Sequence, residues 1–246
     1  MKNNDRDFDS ILKCLYNNNE GIECLEEDKP LLNSLILFFS KLQSSNNRPD
    51  AFAENETTLF LLEHFQFDNS KLNKKGSIQN QTSAITNKKI CDILKTQNYA
   101  MVNENVKKSG FYYIRNFQKQ FDSHVKNIDS YKLEIQKIKQ KQYDKYIMGF
   151  VIEDSSPLGS IYFSDKTVKS LNLLYAKEFL DLFEKTTNLD FVIFAMTGNV
   201  SNKILSFISR NTIPIFRKYQ IVVANIQKFL FKDMICASSK IFFSDN

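Results

Sequence analysis

The spacing of apolar residues predicts a helix, a β-hairpin and a second helix in the first hundred residues. Residues 28–42 carry apolar side chains at steps of three and four, as one face of a helix requires: Leu32, Leu35, Ile36, Phe39 and Leu42. The polar segment QSSNNRPD ends that helix, and two strand-like segments follow, PDAFAEN and TLFLLEHFQFD. The residues ENE between them suit a turn, so we expect a hairpin. A polar, basic loop, NSKLNKKGSIQNQTS, then leads to the helical segment AITNKKICDILKTQ.

A long basic amphipathic helix is predicted from residue 111 to residue 141. Its apolar stripe keeps steps of three and four throughout: Ile114, Phe117, Phe121, Val125, Ile128, Tyr131, Ile135 and Ile138. The other face is mainly basic and includes Arg115, Lys119 and Lys126. Such a face can follow a nucleic-acid backbone, with tyrosines available for stacking on bases. Asp122, Asp129 and Glu134 interrupt it, so an ordinary solvated helix is the other interpretation.

The second half of the chain predicts buried strands that alternate with helices. YIMGFVIED and LDFVIFAMT are nearly continuous apolar runs, as in strands covered on both faces, and KILSFISR is a third strand. YAKEFLDLFEKTT has helical spacing. This order predicts an α/β fold with a mixed central sheet flanked by helices. We expect a single domain over residues 1–246, with 140–146 as the place where a boundary would fall.

Composition narrows the classes of protein without deciding between them. The net charge of +5, from 33 basic and 28 acidic residues, permits a nucleic-acid partner but is more typical of a solvated surface. The four cysteines form no CxxC pair and lie at no zinc-finger spacing from a histidine. The sequence has no apolar signal segment and no membrane-length apolar run, which predicts a cytoplasmic protein without a membrane partner. Phosphate-loop, dinucleotide, GxSxG and HExxH motifs are absent.

Two acids in the predicted hairpin are candidate ligands for a divalent cation. Asp50 follows Pro49, and twelve residues separate it from Glu63, which interrupts a strongly apolar strand. A charge in such a run is costly if it is buried without a partner. Mg²⁺ prefers hard oxygen ligands that converge from a rigid scaffold. The other interpretations are a turn acid for Asp50 and a solvent-facing position for Glu63 at a sheet edge.

The Pro-Asp dipeptide, Glu63 and the helix–hairpin–helix order over residues 26–95 resemble the core of the PD-(D/E)XK nuclease superfamily, the fold of many restriction endonucleases. The resemblance implies that Asp50 and Glu63 bind Mg²⁺ or Mn²⁺, with Asp68 as a possible further ligand. It also implies a lysine two residues after Glu63, where this chain has Phe65. Because that lysine migrates within the superfamily, four lysines are candidate replacements: Lys71, Lys74, Lys75 and Lys88.

Other titratable residues have less specific positions. His64 is expected to face the side of the strand opposite Glu63, since successive strand side chains alternate. Glu153 and Asp154 end a predicted strand, where sites of α/β sheets lie, although a strand-to-loop exit is the more common reason for acids there. His124 lies at the boundary of the apolar face of the long helix.

These observations predict a Mg²⁺-dependent nuclease-like protein that cleaves phosphodiester bonds in DNA rather than RNA. Lys71, Lys74 or Lys75 would assist the attacking water, with Lys74 and Lys75 as the main candidates. The basic residues expected to contact nucleic acid are Lys71, Lys74, Lys75, Arg115, Lys119 and Lys126. A role in restriction, phage defence or a mobile element follows from fold analogy alone. The alternative is a catalytically inactive module of the same fold that binds nucleic acid or a protein. A third interpretation is an interaction protein whose Phe-rich surfaces pair with a partner or in a homodimer.

Overall fold

The helices and strands are those of a computed structural model, which describes residues 22–45, 48–73, 76–108, 110–155, 161–162, 168–169, 173–196, 204–223 and 234–243. The chain is a mixed α/β protein, as predicted. In chain order the elements are β1 Ile22–Glu23, α1 Lys29–Phe39, β2 Gln43–Ser44, β3 Ala51–Glu54, β4 Thr58–Phe67, β5 Leu72–Asn73, β6 Gly76–Ser77, α2 Ile78–Leu94, β7 Tyr99–Lys108, α3 Gly110–Val125, α4 Ile128–Lys139, β8 Lys145–Asp154, β9 Ile161–Tyr162, β10 Val168–Lys169, α5 Lys177–Lys185, β11 Phe191–Met196, β12 Ile204–Ser209, α6 Ile213–Arg217 and β13 Met234–Phe243.

Seven strands form one mixed sheet in the spatial order β1-β12-β11-β8-β4-β3-β2. The central strands β4, β8 and β11 are parallel neighbours, which agrees with their nearly continuous apolar sequences. Strand β3 pairs antiparallel with β4 and places Ala51 opposite Leu62, so the predicted hairpin is confirmed. Its turn is closed by Asn55, whose side-chain Oδ1 accepts hydrogen bonds from the backbone N–H groups of Thr57 and Thr58 at 3.0 and 2.7 Å.

The described chain divides into two compact units. The first unit takes the residues up to Phe67 and those from Gln118 to Val222, and it contains the seven-stranded sheet. The second takes Asp68–Phe117 and the residues from Val223 onward, and it contains α2 and the antiparallel ribbon of β7 and β13. The units change at three places along the chain, after Phe67, Phe117 and Val222, and none of these is near residues 140–146. A single domain over 1–246 stays a prediction.

Both faces of the sheet in the first unit are covered by apolar side chains. One face packs against α1. The contact is a cluster of buried residues from six strands of the sheet and from α1: Ile22, Leu32, Leu35, Phe39, Ala51, Ala53, Phe60, Leu62, Val151, Phe191, Ile193, Ala195, Leu205 and Phe207. On the other face Phe150 of β8 meets Phe121 of α3 edge to face, with ring centroids 5.7 Å apart. Phe121 in turn meets Phe179 of α5 at 6.5 Å. The sheet is therefore a rigid platform from which side chains of β4 and β8 project in fixed directions.

The prediction of one helix from 111 to 141 is wrong, because α3 ends at Val125 and α4 begins at Ile128. The side chain of Asn127 explains the interruption: its Nδ2 donates to the Ser123 carbonyl at 2.9 Å. In a continuous helix the backbone N–H of Asn127 would donate to that carbonyl, but here it donates to His124 O at 3.0 Å. A short amide side chain that replaces the backbone donor ends a helix locally.

The polar segment after β4 is also more ordered than predicted. Two short strands, β5 and β6, pair with each other within it, and α2 begins at Ile78, six residues before the predicted start. Lys74 and Lys75 lie outside the described residues.

Candidate functional site

The hairpin brings Asp50 and Glu63 together in the first unit. Because Ala51 pairs with Leu62, the two acids occupy the next opposing positions and project from the same face of the sheet. The backbone N–H of Asp50 donates to Glu63 Oε2 at 3.2 Å. The backbone N–H of His64 donates to Asp50 Oδ2 at 2.7 Å. Each carboxylate is thus fixed by the backbone of the strand that carries the other one.

Glu63 is a buried carboxylate at the centre of a polar cluster. Its side chain is 1% exposed, and its Oε1 atom accepts a hydrogen bond from the Tyr131 hydroxyl at 3.1 Å. His124 Nδ1 lies 2.9 Å from the same oxygen, and Arg48 Nη1 lies 3.7 Å from it. Three separate parts of the chain, α3, α4 and the segment before β3, therefore converge on one oxygen atom.

The electrostatics of the cluster reflect two acids held close together. Burial and the negative charge of Glu63 raise the pKa of Asp50 to about 6. Burial and the same carboxylate raise the pKa of Tyr131, so this hydroxyl stays protonated and donates its hydrogen bond. Like charges at short range in a buried place disfavour simultaneous ionisation. A cation at this position would remove that repulsion.

The position of the motif lysine is filled by an aromatic ring. Phe65 is buried and stacks on the imidazole of His124, with ring centroids 4.7 Å apart and an interplanar angle of 15°. It also meets Phe150 edge to face at 5.7 Å. Phe65 therefore orients the histidine that binds Glu63 and brings no charge of its own.

The remaining residues singled out from the sequence lie in other settings. Asp68 belongs to the second unit, where its Oδ1 accepts a hydrogen bond from the backbone N–H of Ser70 at 2.7 Å. The basic candidates that the structure describes are all exposed, the first three in the second unit and the last two in the first: Lys71, Lys88, Arg115, Lys119 and Lys126.

His64 and Glu153 form a second polar contact on the same sheet. His64 Nε2 lies 3.0 Å from Glu153 Oε2, and Gln66 Nε2 donates to Glu153 Oε1 at 3.5 Å. His64 and Gln66 alternate with Glu63 and Phe65 along β4, and so they project from the other face. Glu153 lies on β8 opposite Gln66. His64 takes part in the Asp50–Glu63 cluster through its backbone N–H.

Sequence reasoning missed three members of the cluster: Arg48, His124 and Tyr131. His124 and Tyr131 did carry a signal, since both place polar atoms on the buried stripe of the long helical segment and buried polar atoms need partners. A single buried carboxylate in the neighbouring strand sequence was the natural partner. Arg48 carried no such signal, because it lies in the polar segment QSSNNRPD, where a polar side chain is expected to face solvent.

The carboxylate pair is compatible with one divalent ion. Among the residues that the structure describes, no group of three or more His, Cys, Asp or Glu side chains is arranged to hold a metal. Mg²⁺ does not need such a group, because it keeps several waters and is commonly held by one or two carboxylates and substrate phosphates. Asp50 and Glu63 supply that number of carboxylates.

Comparisons with family models, curated proteins and solved structures found no match to this chain. Within its described part, no helix is long and apolar enough to cross a membrane.

Proposed function

We propose that this protein is a Mg²⁺-dependent nuclease-like enzyme that cleaves phosphodiester bonds in DNA. The observation that supports this most is the pair of acids at opposing positions of the hairpin, Asp50 immediately before β3 and Glu63 within β4. The proposal is also supported by the helix α1 before the hairpin and the helix α2 after it, since the resemblance rests on that order of elements.

Each residue of the cluster has a role in this proposal. Asp50 and Glu63 would hold Mg²⁺, which when bound polarises a phosphate and lowers the pKa of a coordinated water. The hydrogen bonds from Tyr131 and His124 keep the Glu63 carboxylate in one orientation. The N–H group of His64 does the same for Asp50. Residues that fix metal ligands in this way commonly affect metal affinity or activity by about 10–100-fold.

The second candidate function is a nucleic-acid-binding module without catalysis. It is favoured by Phe65, which occupies the lysine position and is committed to packing against His124. It is also favoured by Glu63, whose oxygens already accept hydrogen bonds from Tyr131 and from the backbone of Asp50. A relic of a nuclease would keep such internal bonds and lose the metal.

The test is cleavage of labelled DNA and RNA with Mg²⁺, with Mn²⁺ and with EDTA, using the full chain. We expect the wild type to cut DNA in either metal and to be inactive in EDTA. Glu63→Ala and Asp50→Asn should each lower the rate by at least about 100-fold, which is the cost of a small misplacement of reacting groups. Calorimetric titration with Mg²⁺ alone should lose its binding signal in both variants.

A matched control is Glu54→Gln, which changes an acid of the same hairpin that pairs with Lys139 and lies outside the cluster. It should cleave and bind Mg²⁺ like the wild type. Cleavage that survives both site substitutions would refute the assignment of the site. A wild type that binds DNA but neither cleaves it nor binds Mg²⁺ would establish the second candidate.

A further inference from the structure

A guanidinium group stands beside the carboxylate pair and faces solvent. The side chain of Arg48 is 57% exposed, although its Nη1 lies 3.7 Å from the buried Glu63 Oε1. That distance allows charge attraction but is too long for a hydrogen bond. The guanidinium of Arg48 also interacts electrostatically with the Tyr131 hydroxyl. The side chain is therefore tethered at the cluster while donors remain for a ligand from solvent.

Among the residues of the first unit that the structure describes, the other arginines, Arg210 and Arg217, have donors bound to groups of the protein. The guanidinium of Arg210 donates to four backbone carbonyls: those of Phe183, Glu184, Thr186 and Leu189. Arg217 pairs with Asp181 at 2.9 Å and also with Glu184. These arginines hold elements of the fold together, whereas the contact that Arg48 makes with Glu63 is a long one, at 3.7 Å. The contrast indicates that Arg48 has a role other than stabilising the fold.

We propose that Arg48 binds a phosphate group of a nucleic acid at the Asp50–Glu63 site. A planar guanidinium with five N–H donors matches the geometry of phosphate oxygens. It also supplies the positive charge that Phe65 does not supply at the lysine position. The nature of the ligand rests on the proposed function, since the site is argued there to act on phosphodiesters.

The experiment measures binding apart from cleavage. A short fluorescent DNA duplex is titrated in EDTA at several KCl concentrations with the wild type, Arg48→Ala, Arg48→Lys and Arg217→Ala. We expect Arg48→Ala to bind about 10-fold more weakly, as the loss of a charged hydrogen-bonded contact implies. The slope of log affinity against log salt should become shallower by about 0.9, the value for one phosphate contact on a duplex.

The other variants separate the effect of the Arg48 charge on DNA binding from any effect of the substitution on folding. Arg48→Lys should keep the wild-type slope because it keeps the charge, with a smaller loss of affinity because it lacks the planar fork. Arg217→Ala removes an arginine that is committed to carboxylates, and it should leave slope and affinity unchanged. Far-UV circular dichroism and thermal unfolding of each variant establish that it is folded.

Each outcome decides between the two proposals. Equal slopes and affinities for the wild type and Arg48→Ala, or no salt-dependent DNA binding by the wild type, would overturn the role of Arg48. An Arg48-dependent slope in a protein that cleaves neither DNA nor RNA would support that role and refute the nuclease. Cleavage that depends on Glu63, together with DNA binding that does not depend on Arg48, would support the nuclease and refute the role of Arg48.

Discussion

The charge of Asp50 should make the metal-free protein less stable as the pH rises. Its pKa is about 6 in the folded chain against an ordinary value of 3.8, so folding favours the protonated carboxyl. A raised acid pKa contributes stability that is fully present below the unfolded value and is lost as the pH rises through the folded value. Asp50→Asn keeps the shape and an acceptor for the His64 N–H, and it removes the titration.

The magnitude follows from the two pKa values. A difference of about 2 pKa units at about 1.4 kcal/mol each amounts to roughly 3 kcal/mol of unfolding free energy. Burial is the larger cause and the Glu63 charge the second, so Glu63→Gln should remove part of the effect. We expect the free energy of unfolding of Asp50→Asn to rise relative to that of the wild type between about pH 4 and about pH 7, by up to roughly 3 kcal/mol.

The assay is urea unfolding in EDTA, followed by circular dichroism at a series of pH values. The informative quantity is the difference in unfolding free energy between Asp50→Asn and the wild type, since groups outside the cluster titrate alike in both. That difference should grow with pH through the range around 6. A difference that stays flat, or that shrinks as the pH rises, would show that burial and the Glu63 charge do not raise the pKa of Asp50 as the structure indicates.

Two further predictions concern the fold that supports the site. Gly149→Ala should lower the free energy of unfolding, measured in urea, by about 3 kcal/mol or more. The reason is that a Cβ at this position would lie 2.0 Å from Cζ of the fully buried Phe191 ring. A loss below about 1 kcal/mol would contradict this contact. Lys139→Met should cost about 0.2–1 kcal/mol at neutral pH by removing the 2.7 Å ion pair with Glu54. Hydrogen bonds from Lys139 and Tyr143 lower the pKa of Glu54. The stability that the ion pair contributes is therefore present above the ordinary pKa of 4.5 and should vanish as the pH falls through the pKa of Glu54 in the folded chain. A loss of stability in Lys139→Met that persists in acid would refute this prediction.

Local sequence patterns sufficed for much of the sheet. Strands β4, β8 and β11 follow from nearly continuous apolar runs, and the hairpin follows from two such segments around a polar turn. The same patterns missed β7 and β13, which pair with each other from Tyr99 opposite Phe243 to Lys108 opposite Met234. Their sequences mix polar and apolar residues without strict alternation, and each is a strand because of its distant partner.

The sequence by itself determined which carboxylates could meet, since a hairpin fixes its own register and Asp50 and Glu63 oppose each other within it. It also determined that Phe65 leaves the lysine position uncharged. Only the tertiary structure decided what surrounds Glu63. His124 and Tyr131 lie 61 and 68 residues away along the chain, and α3 and α4 bring them to the sheet through packing on its apolar face. The period of a sequence encodes which side of an element is buried, but the partner of a buried polar atom depends on contacts that close long loops.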